Sequence, residues 1–232
     1  MSLYNRDYSN YIREDSRTSS SALSTFIKQT YQLFAASLIA GAAGAYIGVM
    51  MPGFFFSMGM ASPFIILGVA LILFFAMRAC IHNSPLNLIL LFAFTFVLGF
   101  GLTPLLYSTL SLVNGGVIIA QAFTLTAVAF AGLSVFAMNT KRDFTMMGKM
   151  LFIALIILIV ASLIGLFFQS AMYTLVISSI GALLFSFFIL YDTQNIIRGN
   201  YSSPIEGAVA LYLDFINLFS YLLSILNITN RD

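Results

Sequence analysis

Residues 205–227 read IEGAVALYLDFINLFSYLLSILN, an apolar run that is interrupted near its middle by the carboxylate of Asp214. A helix needs about 20 apolar residues to cross the roughly 30 Å hydrocarbon core of a bilayer, and this run is long enough. At about 1.5 Å per residue, Asp214 would lie roughly 14 Å from the start of the helix. The run therefore predicts a membrane-spanning helix that carries an ionisable residue.

Six further apolar runs precede this one, each bounded by turn-forming residues. Together they predict an all-α polytopic membrane protein with seven transmembrane helices, at residues 26–51, 62–81, 86–106, 115–138, 148–168, 172–197 and 205–227. The runs are continuously apolar, whereas the strands of a membrane β-barrel alternate apolar and polar residues over about 10 positions. Thr103-Pro104, near the end of the third run, predicts a kink or break, because proline lacks the N–H group that a helix interior needs.

The composition excludes several classes of protein. Of the 232 residues, 60% are hydrophobic and 8% are charged, whereas soluble domains carry about 25% charged residues. A net charge of +2 leaves no basic face for nucleic acid. Cys80 is the only cysteine, which excludes an internal disulfide and a multi-cysteine metal site. With His82 as the only histidine, a Ser-His-Asp catalytic set is not credible.

The distribution of Lys and Arg predicts the orientation of the chain. If seven helices cross the bilayer, every Lys and Arg except Arg231 lies on the side of the N-terminus. Since Lys and Arg are enriched in cytoplasmic loops, we expect the N-terminus in the cytoplasm and the C-terminus outside. Residues 1–25 are polar and lack the apolar segment of a signal peptide. We therefore expect a flexible cytoplasmic tail at 1–25 and a membrane domain at 26–232.

Three of the charged residues in the predicted helices stand out, namely Arg78, Asp192 and Asp214. A charge at the centre of the bilayer costs about 2.5–3.5 kcal/mol on insertion scales, so each is a functional-site hypothesis. Asp192 lies near the cytoplasmic end of the sixth helix, at a depth similar to that of Asp214, and Arg78 ends the second helix on the same side. The alternative is structural, with Asp192 capping a helix end and Arg78 reaching lipid phosphates.

Two carboxylates in a medium of low dielectric constant cannot both ionise cheaply, so Asp192 and Asp214 are expected to share one proton. The shared proton would hold the two helices together, and its loss would push them apart or admit a cation. Arg78 would compete with that proton for either carboxylate. Asn195 and Asn217 follow the two aspartates by three residues, on the same helix faces, where their amides could complete a polar lining.

The segments that carry these charges resemble a known family. Three of them look like the Bax inhibitor-1 (transmembrane Bax inhibitor motif) family, and specifically its bacterial branch: ILYD at 189–192, LYLDFINLF at 211–219 and FAMR at 75–78. The resemblance implies seven helices with the seventh at the centre. It also implies a pH-sensitive calcium leak channel in which Asp192 and Asp214 are the proton sensor and gate, with Arg78 as their partner.

The resulting hypothesis is a channel for calcium or another cation in a bacterial inner membrane, without a resident cofactor. Calcium prefers about 6–8 oxygen ligands, and two aspartates supply at most about four. The sequence has no EF-hand pattern. Any calcium contact at Asp192 and Asp214 is therefore expected to be weak and transient, as permeation requires.

Two other functions stay open at this point. Some bacterial relatives are described as modulators of a membrane-anchored ATP-dependent protease, and the polar tail is long enough to be grasped in the cytoplasm. Paired aspartates also occur in intramembrane aspartyl proteases, but the Gly-x-Gly-Asp motif of that class is missing around both aspartates. We therefore expect a non-enzymatic protein whose partners are the lipid bilayer, a cation and, in the alternative, a membrane protease.

Overall fold

The computed structural model describes residues 3–168 and 170–231, and within them the chain is helical and contains no strand. The described residues form nine α-helices: α1 (Leu3–Met50), α2 (Pro52–Ser57), α3 (Ser62–Ala79), α4 (Leu86–Phe100), α5 (Thr103–Leu110), α6 (Gly115–Asn139), α7 (Gly148–Phe168), α8 (Ala171–Ile197) and α9 (Pro204–Thr229). Two short 3-10 helices, Gly59–Ala61 and Thr145–Met147, lie in the connections. The predicted all-α class is confirmed.

The membrane spans follow the predicted apolar runs. Among the described residues, six helical segments are long and apolar enough to cross a membrane: Ser20–Met50, Ser62–Ala79, Gly115–Asn139, Thr145–Gly165, Ala171–Ile197 and Pro204–Thr229. Helices α4 and α5 make a seventh if the pair is one span, bent by 41°. The expected single helix at 86–106 is therefore corrected to two helices. Pro104 lies in the first turn of α5, where its missing N–H breaks no helical hydrogen bond.

Helix α1 extends well before the first span. It begins at Leu3, so residues 3–25 are helical and continuous with Ser20–Met50. The boundary expected after residue 25 falls inside this helix. The division into a tail and a membrane domain stays a prediction.

Helix α9 lies at the centre of the bundle, as the family resemblance implies for the last span. It packs against α8, α1, α6, α4 and α5, and the side chains of Leu211, Tyr212 and Leu223 are fully enclosed. The Tyr212 hydroxyl donates a hydrogen bond of 2.8 Å to the Thr95 carbonyl oxygen of α4. This central helix brings Asp214 into the interior.

Helices α1 and α4 approach each other closely because glycines face the contact. A Cβ atom on Gly44 would overlap the Phe96 carbonyl group of α4, and a Cβ atom on Gly99 would overlap the backbone of Gly41. Small residues at a helix interface permit such close approach in membranes. These glycines therefore serve packing within the chain.

The periphery of the bundle is apolar. Helix α7 exposes large side chains that include Phe152, Ile157 and Phe167, and α3 exposes others such as Phe64 and Ile72. Soluble monomers rarely expose contiguous apolar patches larger than a few hundred Å². The lipid interior of a bilayer is the environment that suits this surface, so the protein is an integral membrane protein.

Candidate functional site

The turn between α8 and α9 has a defined geometry that follows from its sequence. Gly199 adopts a φ of +67°, the left-handed conformation that glycine favours after a helix. Its N–H donates to the Ile196 carbonyl oxygen and the N–H of Asn200 donates to the Asn195 carbonyl oxygen, which together form a Schellman motif. The Asn200 side chain also donates to the Asn195 Oδ1 over 2.9 Å. The chain therefore reverses directly beside the last turn of α8.

The start of α9 is fixed by polar side chains on the same turn. Ser203 is the N-cap, and its hydroxyl oxygen accepts from the Ile205 N–H at 3.3 Å. The carboxylate of Glu206 accepts from the N–H and the hydroxyl of Ser202, at 3.1 and 2.7 Å. Pro204 occupies the first turn, where its fixed φ is favourable. These contacts set the direction of α9 and with it the position of Asp214.

Asp192 of α8 and Asp214 of α9 face each other inside the bundle. Their exposed fractions are 6% and 2%, and their carboxyl groups lie within hydrogen-bonding distance of one another. The Tyr201 hydroxyl donates to the Asp192 Oδ1 over 2.6 Å. Asp214 Oδ2 is buried and has no hydrogen-bond partner among the described residues. A single proton between the two carboxyl groups would supply the missing donor, since a protonated carboxyl group donates one hydrogen bond.

A cavity of about 470 Å³ opens beside the two aspartates. Its polar wall residues are Arg78, Asp192, Asn200, Tyr201, Glu206 and Asp214, and the rest of the wall is apolar. Concave, mostly apolar sites with a few convergent polar groups are typical of binding sites. The cavity therefore joins the end of α3, the turn after α8 and the first half of α9 in one polar locus.

The remaining residues predicted from sequence take different positions. Arg78 lies on the cavity wall but forms no ion pair with either aspartate, and it is exposed. Asn195 and Asn217 are not among the wall residues. Their amides donate within their own helices, to the carbonyl oxygens of Tyr191 at 3.0 Å and Leu213 at 2.7 Å. The structure thus brings the two aspartates and the arginine to one cavity and leaves both asparagines outside it.

Three polar wall residues, Asn200, Tyr201 and Glu206, were missed by sequence reasoning. Glu206 had a usable signal, because an acidic residue three positions after a serine is typical of a helix N-terminus. Tyr201 had no such signal in the sequence, because only the turn at Gly199 brings its side chain close to Asp192. Burial and the neighbouring Asp192 carboxylate raise the pKa of the Tyr201 hydroxyl well above its usual range. The hydroxyl therefore keeps its proton and remains a donor at neutral pH.

Gln194, which sequence reasoning also missed, holds the other side of α8. Gln194 is buried, and its Oε1 accepts from the Phe144 N–H at 2.6 Å while its Nε2 donates to the Arg142 carbonyl oxygen at 2.8 Å. One turn later, Arg198 pairs with Asp143 at 2.7 Å. The Arg198 guanidinium lowers the pKa of Asp143 to about 2. The last turns of α8 are therefore attached to the connection between α6 and α7.

The site does not have the composition of a resident metal centre. Across residues 3–168 and 170–231, no group of three or more His, Cys, Asp or Glu side chains is placed to hold a metal ion. Two carboxylates, a tyrosine hydroxyl and water supply too few fixed ligands for tight calcium binding. The arrangement can accept a proton, a hydrated cation, or both in turn.

Comparisons with known proteins agree with this architecture. A Campylobacter jejuni protein is 62% identical over 230 residues, covering 99% of both chains. A membrane protein of Vibrio cholerae is 40% identical over 210 residues, covering 89% of this chain and 90% of its own. A Golgi anti-apoptotic protein of vaccinia virus is 44% identical over 162 residues, covering 68% of this chain and 65% of its own. A family model described as inhibitor of apoptosis-promoting Bax1 matches residues 23–231, and the chain therefore belongs to the Bax inhibitor-1 family.

Proposed function

We propose that the protein is a pH-sensitive leak channel for calcium or other cations, gated by the Asp192–Asp214 pair near the cytoplasmic side of a bacterial inner membrane. The observation that carries this proposal is the facing pair of buried carboxyl groups, one oxygen of which lacks a hydrogen-bond partner among the described residues. Buried ionisable residues inside a membrane bundle mark ion and proton pathways.

The gate works through the shared proton. With the proton present, the two carboxyl groups hydrogen-bond and hold α8 against α9. When pH rises and the proton is lost, two negative charges face each other in a medium of low dielectric constant and repel. The separated pair attracts a cation into the cavity. The leak is therefore expected to be small at low pH and to increase as pH rises.

Other groups around the pair influence the pH at which the shared proton is lost. Arg78 from α3 and Glu206 from α9 face the same cavity with opposite charges. Tyr201 donates to Asp192 from the turn, and Tyr191 of α8 lies close enough to Tyr201 to interact with it electrostatically. The Tyr201 hydroxyl favours the ionised form of Asp192 through its hydrogen bond, whereas Tyr191 bonds to neither aspartate among the described residues.

Calcium flux into proteoliposomes between about pH 6 and about pH 8 tests the proposal. The wild type is expected to leak in a pH-dependent manner, and Asp192→Asn or Asp214→Asn to make the leak independent of pH, because asparagine keeps a polar side chain that does not titrate. Asp143→Asn controls for the loss of a carboxylate outside the cavity, and it is expected to keep the pH dependence of the leak even if it weakens the attachment of α8. Absence of a leak at every pH, in protein shown to be folded, would overturn the proposal.

Modulation of an ATP-dependent membrane protease is the second candidate. The polar composition of residues 1–25 favours this candidate. The helix that runs from Leu3 directly into the first span also favours it, because it offers a continuous helical segment that a partner on the cytoplasmic side could bind. Deleting residues 1–24 separates the two functions. The deletion is expected to spare a leak through the cavity and to abolish binding to a protease that grips the tail.

A further inference from the structure

The contact between α8 and α9 borders another cavity, at the end of the bundle away from the aspartates. This cavity measures about 290 Å³ and lies between α5, α7, α8 and α9. Its polar wall consists of hydroxyl groups, among them those of Ser162, Thr174, Ser178, Ser220 and Ser224. Ser178 of α8 donates to Ser224 of α9 over 3.1 Å. We call it the hydroxyl pocket, and the cavity beside Asp192 and Asp214 the aspartate cavity.

Two stacked aromatic rings each line one of these cavities. Phe185 of α8 lines the aspartate cavity and Tyr221 of α9 lines the hydroxyl pocket. Their rings are stacked, with centroids 5.9 Å apart and planes inclined by 28°. Phe185 and Tyr221 each lie seven residues from the aspartate of their own helix, which is about 10 Å at about 1.5 Å per residue. The rings therefore occupy the same level of the two antiparallel helices.

The backbone beside the stack is shaped to receive the tyrosine. A Cβ atom at Gly181, one turn from Phe185, would overlap the ring of Tyr221. Only a residue without a side chain leaves the ring room to lie flat against α8. The stack is thus built by Phe185, Tyr221 and Gly181 together.

We propose that the Phe185–Tyr221 ring pair is the constriction of a cation path that runs along the α8–α9 contact, with the hydroxyl pocket as its outer vestibule. This inference rests on the proposed leak function. Apolar constrictions in channels exclude water and ions until their walls move apart. Hydroxyl oxygens on the outer side suit a partly hydrated cation, since calcium takes oxygen ligands and tolerates water among them. The aspartate pair then controls the inner end of the path and the ring pair its middle.

Cysteine accessibility tests the constriction without requiring flux. In a Cys80→Ser background, Ala210→Cys places a thiol on the wall of the aspartate cavity and Ser220→Cys places one in the hydroxyl pocket. A membrane-impermeant cationic methanethiosulfonate is applied from the pocket side. The orientation of the vesicles is established by labelling Cys80 in a parallel preparation of the protein that retains this cysteine. The thiol at 220 is expected to react and the thiol at 210 to be protected.

Opening the constriction is expected to remove that protection. Phe185→Ala should accelerate labelling at 210 from the pocket side by about tenfold or more, because a widened apolar constriction admits water and ions. Phe187→Ala is the matched control, since Phe187 lies on the same helix but lines neither cavity. Tyr221→Ala opens the same constriction from the other helix and replaces Phe185→Ala if that variant does not fold.

The outcomes separate this inference from the leak itself. Labelling at 210 that is equally slow in Phe185→Ala, Tyr221→Ala and Phe187→Ala overturns the constriction. A thiol at 220 that never reacts from the pocket side overturns it as well. Calcium flux in the same vesicles is measured alongside. Accessibility that changes as expected without any flux would refute the leak and leave the ring pair as the barrier between the two cavities.

Discussion

Replacing Tyr201 by Phe removes one atom from the candidate gate and has a calculable effect. The Tyr201 hydroxyl donates to Asp192 Oδ1 over 2.6 Å, in a buried setting. A hydrogen bond to a charged group contributes about 1.5–3 kcal/mol, and about 1.36 kcal/mol corresponds to one pH unit. Because the bond stabilises the ionised carboxylate, its loss makes the pair keep its proton to higher pH. We therefore expect the pH midpoint of the leak to rise by about 1–2 units.

The assay is calcium flux into proteoliposomes as a function of pH, with wild type and Tyr201→Phe at matched protein density. Tyr191→Phe serves as the control, since Tyr191 precedes Asp192 on α8 but forms no hydrogen bond with it among the described residues. A midpoint that is unchanged in Tyr201→Phe, or that falls, would refute the reasoning. An upward shift of equal size in both variants would also refute it, because it could not then be assigned to the Asp192 contact.

Three further predictions concern the framework of the site. Asp143→Asn should lower thermal stability in detergent near neutral pH, and the difference from wild type should vanish as pH falls through about 4 to 2, because Arg198 depresses the pKa of Asp143 to about 2 in the folded state. Gln194→Leu should destabilise the protein by about 1–3 kcal/mol in thermal or denaturant unfolding, since it leaves backbone groups of the 140–147 connection unpaired. Gly44→Ala should cost about 1–3 kcal/mol by pushing α1 from α4, whereas Gly53→Ala, which meets open space, should be close to neutral.

The fold was largely predictable because a bilayer imposes one strong rule on sequence. Backbone polar groups must be satisfied within each spanning segment, so continuous apolar runs become helices. The rule does not fix where a run breaks. Thr103-Pro104 predicted a kink or break in the 86–106 run but not its exact position. Helix α4 ends at Phe100, so the break falls at Gly101 and Leu102, before the proline. The helix at residues 3–25 could not be predicted from hydropathy either, because a polar sequence carries no hydropathy signal.

The candidate site was predictable only in part, for a different physical reason. Charge inside a span is costly, so Asp214 is conspicuous in an apolar run. Spacing along one helix can also place Asp192 at a similar depth. Helical spacing cannot show which side chains of a connecting turn contact the helix, and Tyr201 was missed for this reason. Spacing also failed to show that the amides of Asn195 and Asn217 bond to the carbonyl oxygens of their own helices.

The contacts of α8 indicate how a change at the aspartates would spread. At the end near Asp192, α8 is held on one side by Gln194 and Arg198, which bind the connection after α6. On the opposite side Asp192 binds Tyr201 in the turn that leads into α9. If repulsion separates Asp192 from Asp214, the anchored α8 resists movement, and the turn together with α9 is the part that yields. Since Tyr221 lies on α9 and Phe185 on α8, the same displacement would loosen their stack. The acidic pair and the ring pair are therefore expected to act in sequence along one contact between two helices.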